Sequence, residues 1–372
     1  MKFIDLGLQL GPIREKINDS INKVLNSQSF IMGKEVYELE KSLSNYIGYQ
    51  RDCVTCSSGT DALLMSLMAL DVKPGDCIIT SPFTYVATAE VISLLGAKPI
   101  FVDIDSNSFN LDPTKLEEAL SLKDNSNIKG VIAVDLFGQL ANYEAIETIC
   151  KDSNLFLIQD AAQSFGASKS GKKSGSYGDI SATSFFPAKP LGCYGDGGAI
   201  FSSDPSIVSK LKSIRQHGKG EDKYDNVRIG INGRLDTIQA AVLIEKLKIF
   251  DNEIANRNKI AKMYNYKLAN VVQCPNLDSS SISAWAQYSI VFENYKQREK
   301  TKKYLKSKDI PSMVYYSKPL HLQQAFSNLG YSIGDFPISE KISDTILSLP
   351  MHPYLSEKDI DFISTTIMEI QK

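Results

Sequence analysis

The chain has 372 residues, of which 43% are hydrophobic and 23% charged, a composition typical of globular proteins. Its length predicts two domains rather than one. Lys and Arg together number 41 and Asp and Glu together number 43, so the formal net charge is −2. This near-neutral balance, without a basic cluster, argues against nucleic acid as the main partner.

The start of the chain and its hydropathy pattern bear on where in the cell the protein is expected. The first residues, MKFIDLGLQLGPIREK, lack the basic region and the apolar region of a signal peptide. No apolar run approaches the length of a membrane span. We therefore expect a cytoplasmic protein without a membrane partner.

Cys53 and Cys56 form a CxxC motif among six scattered cysteines. A zinc or redox site would need a second such motif with His ligands, or a thioredoxin-like context, and the sequence has neither. The segment CVTC instead predicts a short buried strand in which both thiols act as small hydrophobic groups. We expect no metal site and no disulfide.

The first predicted elements are two helices, one within Ile13–Asn26 and one from Lys34 to about Tyr46, with Gly48 at the expected C-terminal cap. After Arg51, short apolar runs alternate with amphipathic segments. The runs predicted as buried strands are CVTC, CIIT, PIFVDI, GVIAVDLFG, LFLIQD, SATSFF and GGAIFSS. The predicted helices between them include Asp61–Leu70, Tyr85–Leu95, one that starts at Asp112-Pro113, and Tyr143–Cys150. This alternation predicts an α/β fold with a doubly wound, mostly parallel sheet, whose ligand site lies at the carboxyl ends of the strands.

A long helical pattern runs from Leu235 to about Leu268 and precedes a second region. In that region we predict strands near Ala286–Glu293 and Ser312–Tyr316, and helices over Arg298–Lys308, Ser339–Ser348 and Ser356–Gln371. We place the domain boundary near residue 250. The prediction is a large α/β domain with an N-terminal arm over residues 1–250 and a smaller α+β domain over residues 251–372.

Four segments at or near predicted strand ends carry chemistry. In the first, Ser57–Thr60 stands between a strand and a helix, where backbone N–H groups and the helix dipole favour an anion such as phosphate. An ordinary turn is the alternative. In the second, the strand LFLIQD ends on Asp160, and a buried carboxylate needs a cation or hydrogen-bond donors. Asp160 is therefore either the partner of a protonated heterocycle or a helix N-cap.

The third segment, residues 184–199, places Lys189 between Pro187 and Pro190 in a Gly-rich loop with apolar neighbours. Most lysines are solvated surface residues. A lysine held in an apolar, constrained turn is different, because its amine pKa can fall, which suits Schiff-base chemistry.

The fourth segment, Ile229–Asp236, by itself predicts only a capped start to the long helix. The first three segments together supply an anion cradle, a strand-end carboxylate and a sequestered lysine on one sheet. Pyridoxal phosphate (PLP) needs these three features, as a phosphate site, an acidic partner for its pyridine nitrogen and a lysine imine. The sequence therefore predicts that Lys189 carries PLP.

These motifs resemble those of the DegT/StrS family of nucleotide-sugar aminotransferases, which have the fold type I architecture. The resemblance extends from Phe30–Gly33 to the last predicted helix and rests on SSGTDAL, SPFTYVATAE, VDLFGQ, QDAAQSFGA, SFFPAKPLGCYGDGGA and NGRLDTIQAA. It implies an enzyme that takes an amino group from a donor, expected to be glutamate, and passes it to a nucleotide-linked keto sugar. Members that are dehydratases have His in place of the lysine, so Lys189 favours transamination.

The resemblance also implies a role for each cofactor residue. Lys189 would form the Schiff base and then act as acid and base in the proton transfer. Asp160 would pair with the pyridinium nitrogen, and Gln163 would lie beside the ring and its hydroxyl. The residues implied to hold the phosphate are Gly59, Thr60 and Ser184.

Two further cofactor residues follow from the same resemblance. Tyr85 matches the aromatic position that stacks on the ring, with ordinary core packing as the alternative. Asn232 would reach the phosphate of the neighbouring subunit's cofactor, so the active site would need a homodimer.

The expected substrate rests on the form FFPAKPLGCYGDGGA, which is most similar to members acting on UDP-linked 3-keto-N-acetylglucosaminuronic acid. That similarity points to synthesis of a bacterial surface polysaccharide, such as an O-antigen. We expect Arg234 to face the sugar carboxylate or the diphosphate, or else to form a structural salt bridge. The other residues expected at the substrate are Met32, Tyr315, Tyr316 and His321, and Tyr316 stands where many relatives have His. Three alternatives stay open: a 4-keto-6-deoxy sugar acceptor, a lyase reaction, and a non-catalytic PLP-binding regulator.

Overall fold

The computed structural model describes residues 1–48, 51–121, 127–222 and 224–371. Its helices are α1 (Leu6–Leu10), α2 (Arg14–Ser27), α3 (Lys34–Ile47), α4 (Gly59–Ala69), α5 (Ala87–Leu94), α6 (Pro113–Leu120), α7 (Tyr143–Asp152), α8 (Pro205–Ile214), α9 (Thr237–Leu268), α10 (Tyr295–Ser307), α11 (Pro337–Thr345) and α12 (Glu357–Gln371). Its strands are β1 (Asp52–Cys56), β2 (Cys77–Thr80), β3 (Lys98–Phe101), β4 (Ile128–Val134), β5 (Phe156–Asp160), β6 (Ser168–Lys169), β7 (Lys172–Lys173), β8 (Ile180–Ser184), β9 (Gly198–Ser202), β10 (Ser281–Ile282), β11 (Tyr288–Val291) and β12 (Ile346–Leu349). None of these helices combines the length and apolar character that crossing a membrane requires.

The main sheet has seven strands in the order β1-β9-β8-β5-β4-β2-β3. The strands from β8 to β3 pair in parallel, whereas β9 is antiparallel to both of its neighbours, β1 and β8. All strands except β9 therefore run in one direction. Apolar residues of α4 and α8 pack on one face, and those of α3 and α9 pack on the other. The predicted α/β fold with a doubly wound, mostly parallel sheet is confirmed.

The two cysteines of the CxxC motif lie on opposite faces of this sheet. Cys53 packs in the cluster that contains Leu39 and Phe201, and Cys56 packs in the cluster that contains Met65. Side chains of a strand alternate between faces, so residues three apart point in opposite directions. Both thiols are free and buried, which confirms the buried-strand interpretation of CVTC.

Helix α9 spans two apolar clusters. Phe250 and Ile254 pack with the helices and strands of the main sheet. From Ile260 onward the buried residues of α9 pack instead with β11, β12 and α12. The predicted boundary near residue 250 falls inside this continuous helix, and the two-domain division stays a prediction.

The region after α9 contains two errors of the sequence analysis. Residues 312–316 do not form the predicted strand, because Met313 makes only an isolated bridge to Ser348. Residues 346–348 were predicted as the end of a helix, and they lie in β12 instead. All four residues of β12 are buried and pair antiparallel with β11. Short apolar runs of this kind fit a strand or a helix equally well when the partner strand is unknown.

Candidate active site

Three of the predicted segments meet at one edge of the main sheet. Strands β1, β5 and β8 run in the same direction, so their carboxyl ends lie along that edge. The turn after β1 leads into α4, β5 ends on Asp160, and Ser184 ends β8 before the loop that carries Lys189. The topology thus brings together the anion cradle, the carboxylate and the lysine.

Asp160 is a buried carboxylate with two described donors. The Thr88 Oγ1 hydroxyl donates to Asp160 Oδ2 at 2.9 Å, and the Ala162 amide donates to Oδ1 at 3.2 Å. Burial raises the pKa of Asp160, and these bonds together with the charge of Lys189 partly offset the rise. Residues 162–166 form a turn and no helix follows Asp160, so the helix N-cap alternative for Asp160 is wrong.

Lys189 stands in a closed loop between β8 and β9. The Phe185 amide donates to the Gly197 carbonyl at 2.7 Å, and the Cys193 amide donates to the Phe185 carbonyl at 2.8 Å, which closes the base of the loop. The Lys189 amide donates to the Phe186 carbonyl at 2.8 Å, which adds a tight turn.

Lys189 and Asp160 influence each other's ionisation. Burial lowers the pKa of the Lys189 amine, and the carboxylate of Asp160 acts in the opposite direction. A lysine with a lowered pKa is the nucleophile that Schiff-base formation requires. The arrangement therefore supports carbonyl chemistry at Lys189.

The start of α4 lies against the end of β8. A Cβ atom added to Gly59 would lie 2.6 Å from Ser184 Cβ and 3.0 Å from Ser184 Oγ, so the two residues are in close contact. Ser184 Oγ accepts from the Phe186 amide at 3.3 Å, and no described residue accepts its proton. Thr60 follows in the first turn of α4 and is partly buried. A helix N-terminus beside a free hydroxyl favours the anion-site interpretation of this turn.

Gln163 connects the sheet edge to the C-terminal region. Its Oε1 atom accepts from the Phe137 amide at 2.7 Å, and its Nε2 atom donates to the Tyr316 hydroxyl at 3.2 Å. Burial raises the pKa of Tyr316. The Tyr316 ring lies 6.5 Å from that of Tyr85, centroid to centroid.

Tyr85 is 57% exposed and lies in the loop before α5. A side chain with that exposure does not serve core packing, so this alternative is wrong for Tyr85. Its stacking on the cofactor ring stays a prediction.

The segment with Asn232 and Arg234 is anchored to the loop after β1. The Ser57 amide donates to the Gly233 carbonyl at 3.0 Å, while the Asn232 residue itself is exposed. Arg234 forms no ion pair with any described residue, and its buried Nε lacks a hydrogen-bond partner. The structural salt bridge considered for Arg234 is therefore absent from the described part of the chain.

Met32 belongs to the N-terminal arm, which is attached to the same region. The Thr237 amide donates to the Phe30 carbonyl at 3.0 Å, and Ile31 pairs with Asp236. Met32 packs, partly buried, against the cluster that contains Leu235.

His321 and Tyr315 both contact side chains of this chain. The side chain of His321 is fully buried, with Nε2 3.0 Å from Glu340 Oε1 and its ring against Phe336. Tyr315 makes an edge contact with Phe3, with ring centroids 6.3 Å apart. These contacts favour packing roles, and their substrate roles stay predictions.

Thr88 is the functional position that sequence reasoning missed. It belongs to the motif SPFTYVATAE, but nothing in the sequence pairs it with Asp160, which is 72 positions away. The only signal was indirect, because a buried carboxylate requires donors.

A model of the DegT/DnrJ/EryC1/StrS aminotransferase family matches residues 12–368. The chain belongs to this family. It is 44% identical to the UDP-2-acetamido-2-deoxy-3-oxo-D-glucuronate aminotransferase of Pseudomonas aeruginosa, with 99% of each chain covered. It is 39% identical to a pleiotropic regulatory protein of Geobacillus stearothermophilus, with 100% of this chain and 98% of the relative covered. A crystal structure of a family member from Brucella abortus is 49% identical, with a TM-score of 0.95 and 99% of both chains covered.

This aminotransferase uses PLP as its cofactor, since family enzymes do so and solved structural neighbours contain PLP or its amino form PMP. The residues at the sheet edge fit that group. Gly59, which has no side chain, lies against Ser184 at the start of α4, where helix N-terminal N–H groups could hold the phosphate. Asp160 would pair with the ring nitrogen, and Lys189 would hold the reactive carbon.

Proposed function

We propose that this aminotransferase transfers the amino group of glutamate to a UDP-linked 2-acetamido-3-keto-glucuronate. The observation that carries the reaction class is the closed loop that holds Lys189 at the same sheet edge as the buried carboxylate of Asp160, where burial lowers the pKa of the Lys189 amine. The acceptor is supported by the 44% identity to the Pseudomonas aeruginosa enzyme named for that sugar. The reaction would take place in the cytoplasm. Its product would be used in the synthesis of a surface polysaccharide.

The chain's own residues divide the work of proton transfer. When bound, PLP supplies an electron sink for the carbon that bears the amino group. Lys189 would take the proton from that carbon as a base and, as an acid, give a proton to the reactive carbon of the cofactor. Asp160 would keep the ring nitrogen protonated, and the N–H groups at the start of α4 would hold the phosphate.

Arg234 supports an acceptor that carries a carboxylate. Its guanidinium has no described anionic partner, and its Nε is an unused donor. A guanidinium of this kind binds a carboxylate or a diphosphate through paired hydrogen bonds. We propose that Arg234 binds the sugar carboxylate.

The experiment is a panel of UDP- and dTDP-linked 3-keto and 4-keto sugars, read by mass spectrometry for the gain of an amino group. The expected product is the amine of the UDP 3-keto uronate. Arg234→Gln should reduce its kcat/KM at least tenfold and should leave that of the neutral 3-keto-N-acetylglucosamine derivative within about threefold. If a 4-keto-6-deoxy sugar is aminated in preference, the proposed acceptor is wrong and the 4-keto-6-deoxy alternative is correct.

We also propose a homodimer in which Asn232 completes the partner's site. Asn232 is exposed, and a single chain leaves several large apolar side chains uncovered near it. They are Phe30, Ile31, Val227 and Ile229.

Mixed subunits test the shared site. A Lys189→Ala subunit and an Asn232→Ala subunit are each expected to be inactive or weak alone. The purified heterodimer would contain one intact site of two, so about half of the wild-type activity per dimer should return. If Asn232 acted within its own chain, mixing would restore nothing.

A regulator that binds PLP without catalysis is the second candidate, because one relative is named a pleiotropic regulatory protein. The presence of Lys189 and Asp160 favours the enzyme. Single-turnover transfer decides between them: glutamate should bleach the visible absorbance of the loaded protein, and the keto sugar should restore it. Lys189→Ala should abolish both changes. Release of free ammonia would indicate a lyase instead.

A further inference from the structure

A second lysine, Lys246, lies against the loop that carries Lys189. It stands in α9, is fully buried, and places its Nζ atom 2.6 Å from the Gly192 carbonyl oxygen. The same ammonium lies 4.3 Å from the centroid of the Tyr194 ring. No described carboxylate is close enough to pair with it directly. A buried cation is costly unless its hydrogen bonds offset the loss of water, so this contact requires a structural explanation.

The acceptor of this bond belongs to the returning limb of the Lys189 loop. A Cβ atom added to Gly192 would lie 2.5 Å from the Pro187 carbonyl oxygen and 2.7 Å from that of Phe186. The limb after Lys189 is therefore folded tightly onto the limb before it. The Gly192 carbonyl, on the returning limb, accepts the hydrogen bond that Lys246 of α9 donates.

Burial and the charge of Glu253 act in opposite directions on the ionisation of Lys246. Burial lowers the pKa of Lys246 to about 8, and the charge of Glu253 acts in the opposite direction. Glu253 is itself buried and accepts from the Gln9 side chain at 2.9 Å and from the Tyr354 hydroxyl. A charged donor makes a stronger hydrogen bond to a carbonyl than a neutral one does.

We propose that Lys246 is a positioning residue for Lys189. Its bond to the Gly192 carbonyl fixes the folded loop, so that the Lys189 amine emerges beside Asp160. Lys246 touches neither cofactor nor substrate and acts only through the loop. This inference rests on the proposed role of Lys189 as the cofactor lysine.

The test compares Lys246→Met with Lys248→Met in the cofactor-free enzyme. Lys248 lies two residues away on α9, is 59% exposed at its side chain and, within the described residues, pairs only with Glu245, so it is a matched control. Hydrogen exchange should be at least tenfold faster for the amides of Lys189 and Cys193 in Lys246→Met. Lys248→Met should exchange as the wild type does.

The loaded enzyme gives a second measurement. Lys246→Met should bind PLP at least tenfold more weakly and show a lower kcat, while KM for the sugar stays within twofold. Lys246→Gln, whose amide is one bond shorter and uncharged, should fall between Met and the wild type. It also replaces Lys246→Met if that variant does not fold.

Two results would overturn the proposal. One is wild-type exchange in the loop together with wild-type affinity for PLP. The other is faster exchange spread evenly over α9 and the main sheet, which would mean that Lys246 only supports general packing. Because exchange is measured without cofactor or substrate, this result is independent of whether the proposed sugar reaction occurs.

Discussion

The Nε2 atom of Gln163 donates a hydrogen bond of 3.2 Å to the hydroxyl of Tyr316. This bond joins the turn after β5 to a segment from the C-terminal region. The other end of the Gln163 side chain accepts from the Phe137 amide, so both of its polar atoms are occupied. Tyr316 therefore holds the side chain that is predicted to lie beside the cofactor ring.

Replacing Tyr316 with Phe should impair acceptor turnover. It removes the acceptor for a buried amide, and an unsatisfied buried donor costs about 1–3 kcal/mol. We expect kcat/KM for the keto sugar to fall about tenfold, as measured by steady-state kinetics. Tyr266→Phe is the control, because Tyr266 is 88% exposed on α9 and its hydroxyl makes no described hydrogen bond. Equal effects of the two variants would contradict the role of the Gln163 bond.

Thr88→Val should shift the pH dependence of the reaction. Burial raises the pKa of Asp160, and the Thr88 hydrogen bond lowers it, so losing that bond raises the pKa further. Asp160 must be ionised to hold a proton on the ring nitrogen. The acid limb of the kcat profile should therefore move to higher pH, with kcat at neutral pH falling about tenfold, since a bond to a charged group contributes about 1.5–3 kcal/mol.

Thr88→Ser keeps the hydroxyl and is the control for this prediction. Its profile should follow that of the wild type. An unchanged acid limb in Thr88→Val would show that the Thr88 bond does not set the ionisation of Asp160.

The strand-end position of Asp160 was predictable because β5 is a continuous apolar run that ends on a carboxylate. The closed turn around Lys189 followed from its prolines and glycines. The hydrogen bond that Thr88 donates to Asp160 and the bond of Lys246 to Gly192 were not predictable, because both join residues far apart in sequence. Helical periodicity locates α9 but does not say which of its polar residues face the core.

Gly59→Ala should weaken phosphate binding at the start of α4. The new Cβ atom would lie 2.6 Å from Ser184 Cβ, so one of the two segments must shift and the N–H groups would lose their arrangement. We expect at least tenfold weaker PLP binding, about 1.4 kcal/mol, measured by titration of the cofactor-free enzyme. Inorganic phosphate should weaken PLP binding less in the variant than in the wild type.

Gly11→Ala is the matched control for Gly59→Ala. Gly11 has open space around it and a φ of −44°, so alanine fits without a clash. Both variants should melt cooperatively. If Gly59→Ala bound PLP as tightly as Gly11→Ala does, the phosphate would lie elsewhere.

The Lys189 amine should react with aldehydes at lower pH than a surface lysine does. Burial lowers the pKa of Lys189, so its neutral, nucleophilic form is populated at a pH where an ordinary lysine is still protonated. Reductive methylation of the cofactor-free enzyme, followed peptide by peptide with mass spectrometry, gives the pH of half-maximal labelling. Lys300, which is exposed on α10, provides the reference.

The Asp160→Asn substitution tests the direction in which Asp160 shifts the pKa of Lys189. The carboxylate of Asp160 raises the pKa of Lys189 against the effect of burial, so its removal should lower that pKa further. The labelling midpoint of Lys189 should therefore move to still lower pH, while that of Lys300 stays in place. An unchanged midpoint would mean that Asp160 is uncharged in the cofactor-free enzyme, and that the carboxylate gains its charge only when the cofactor binds.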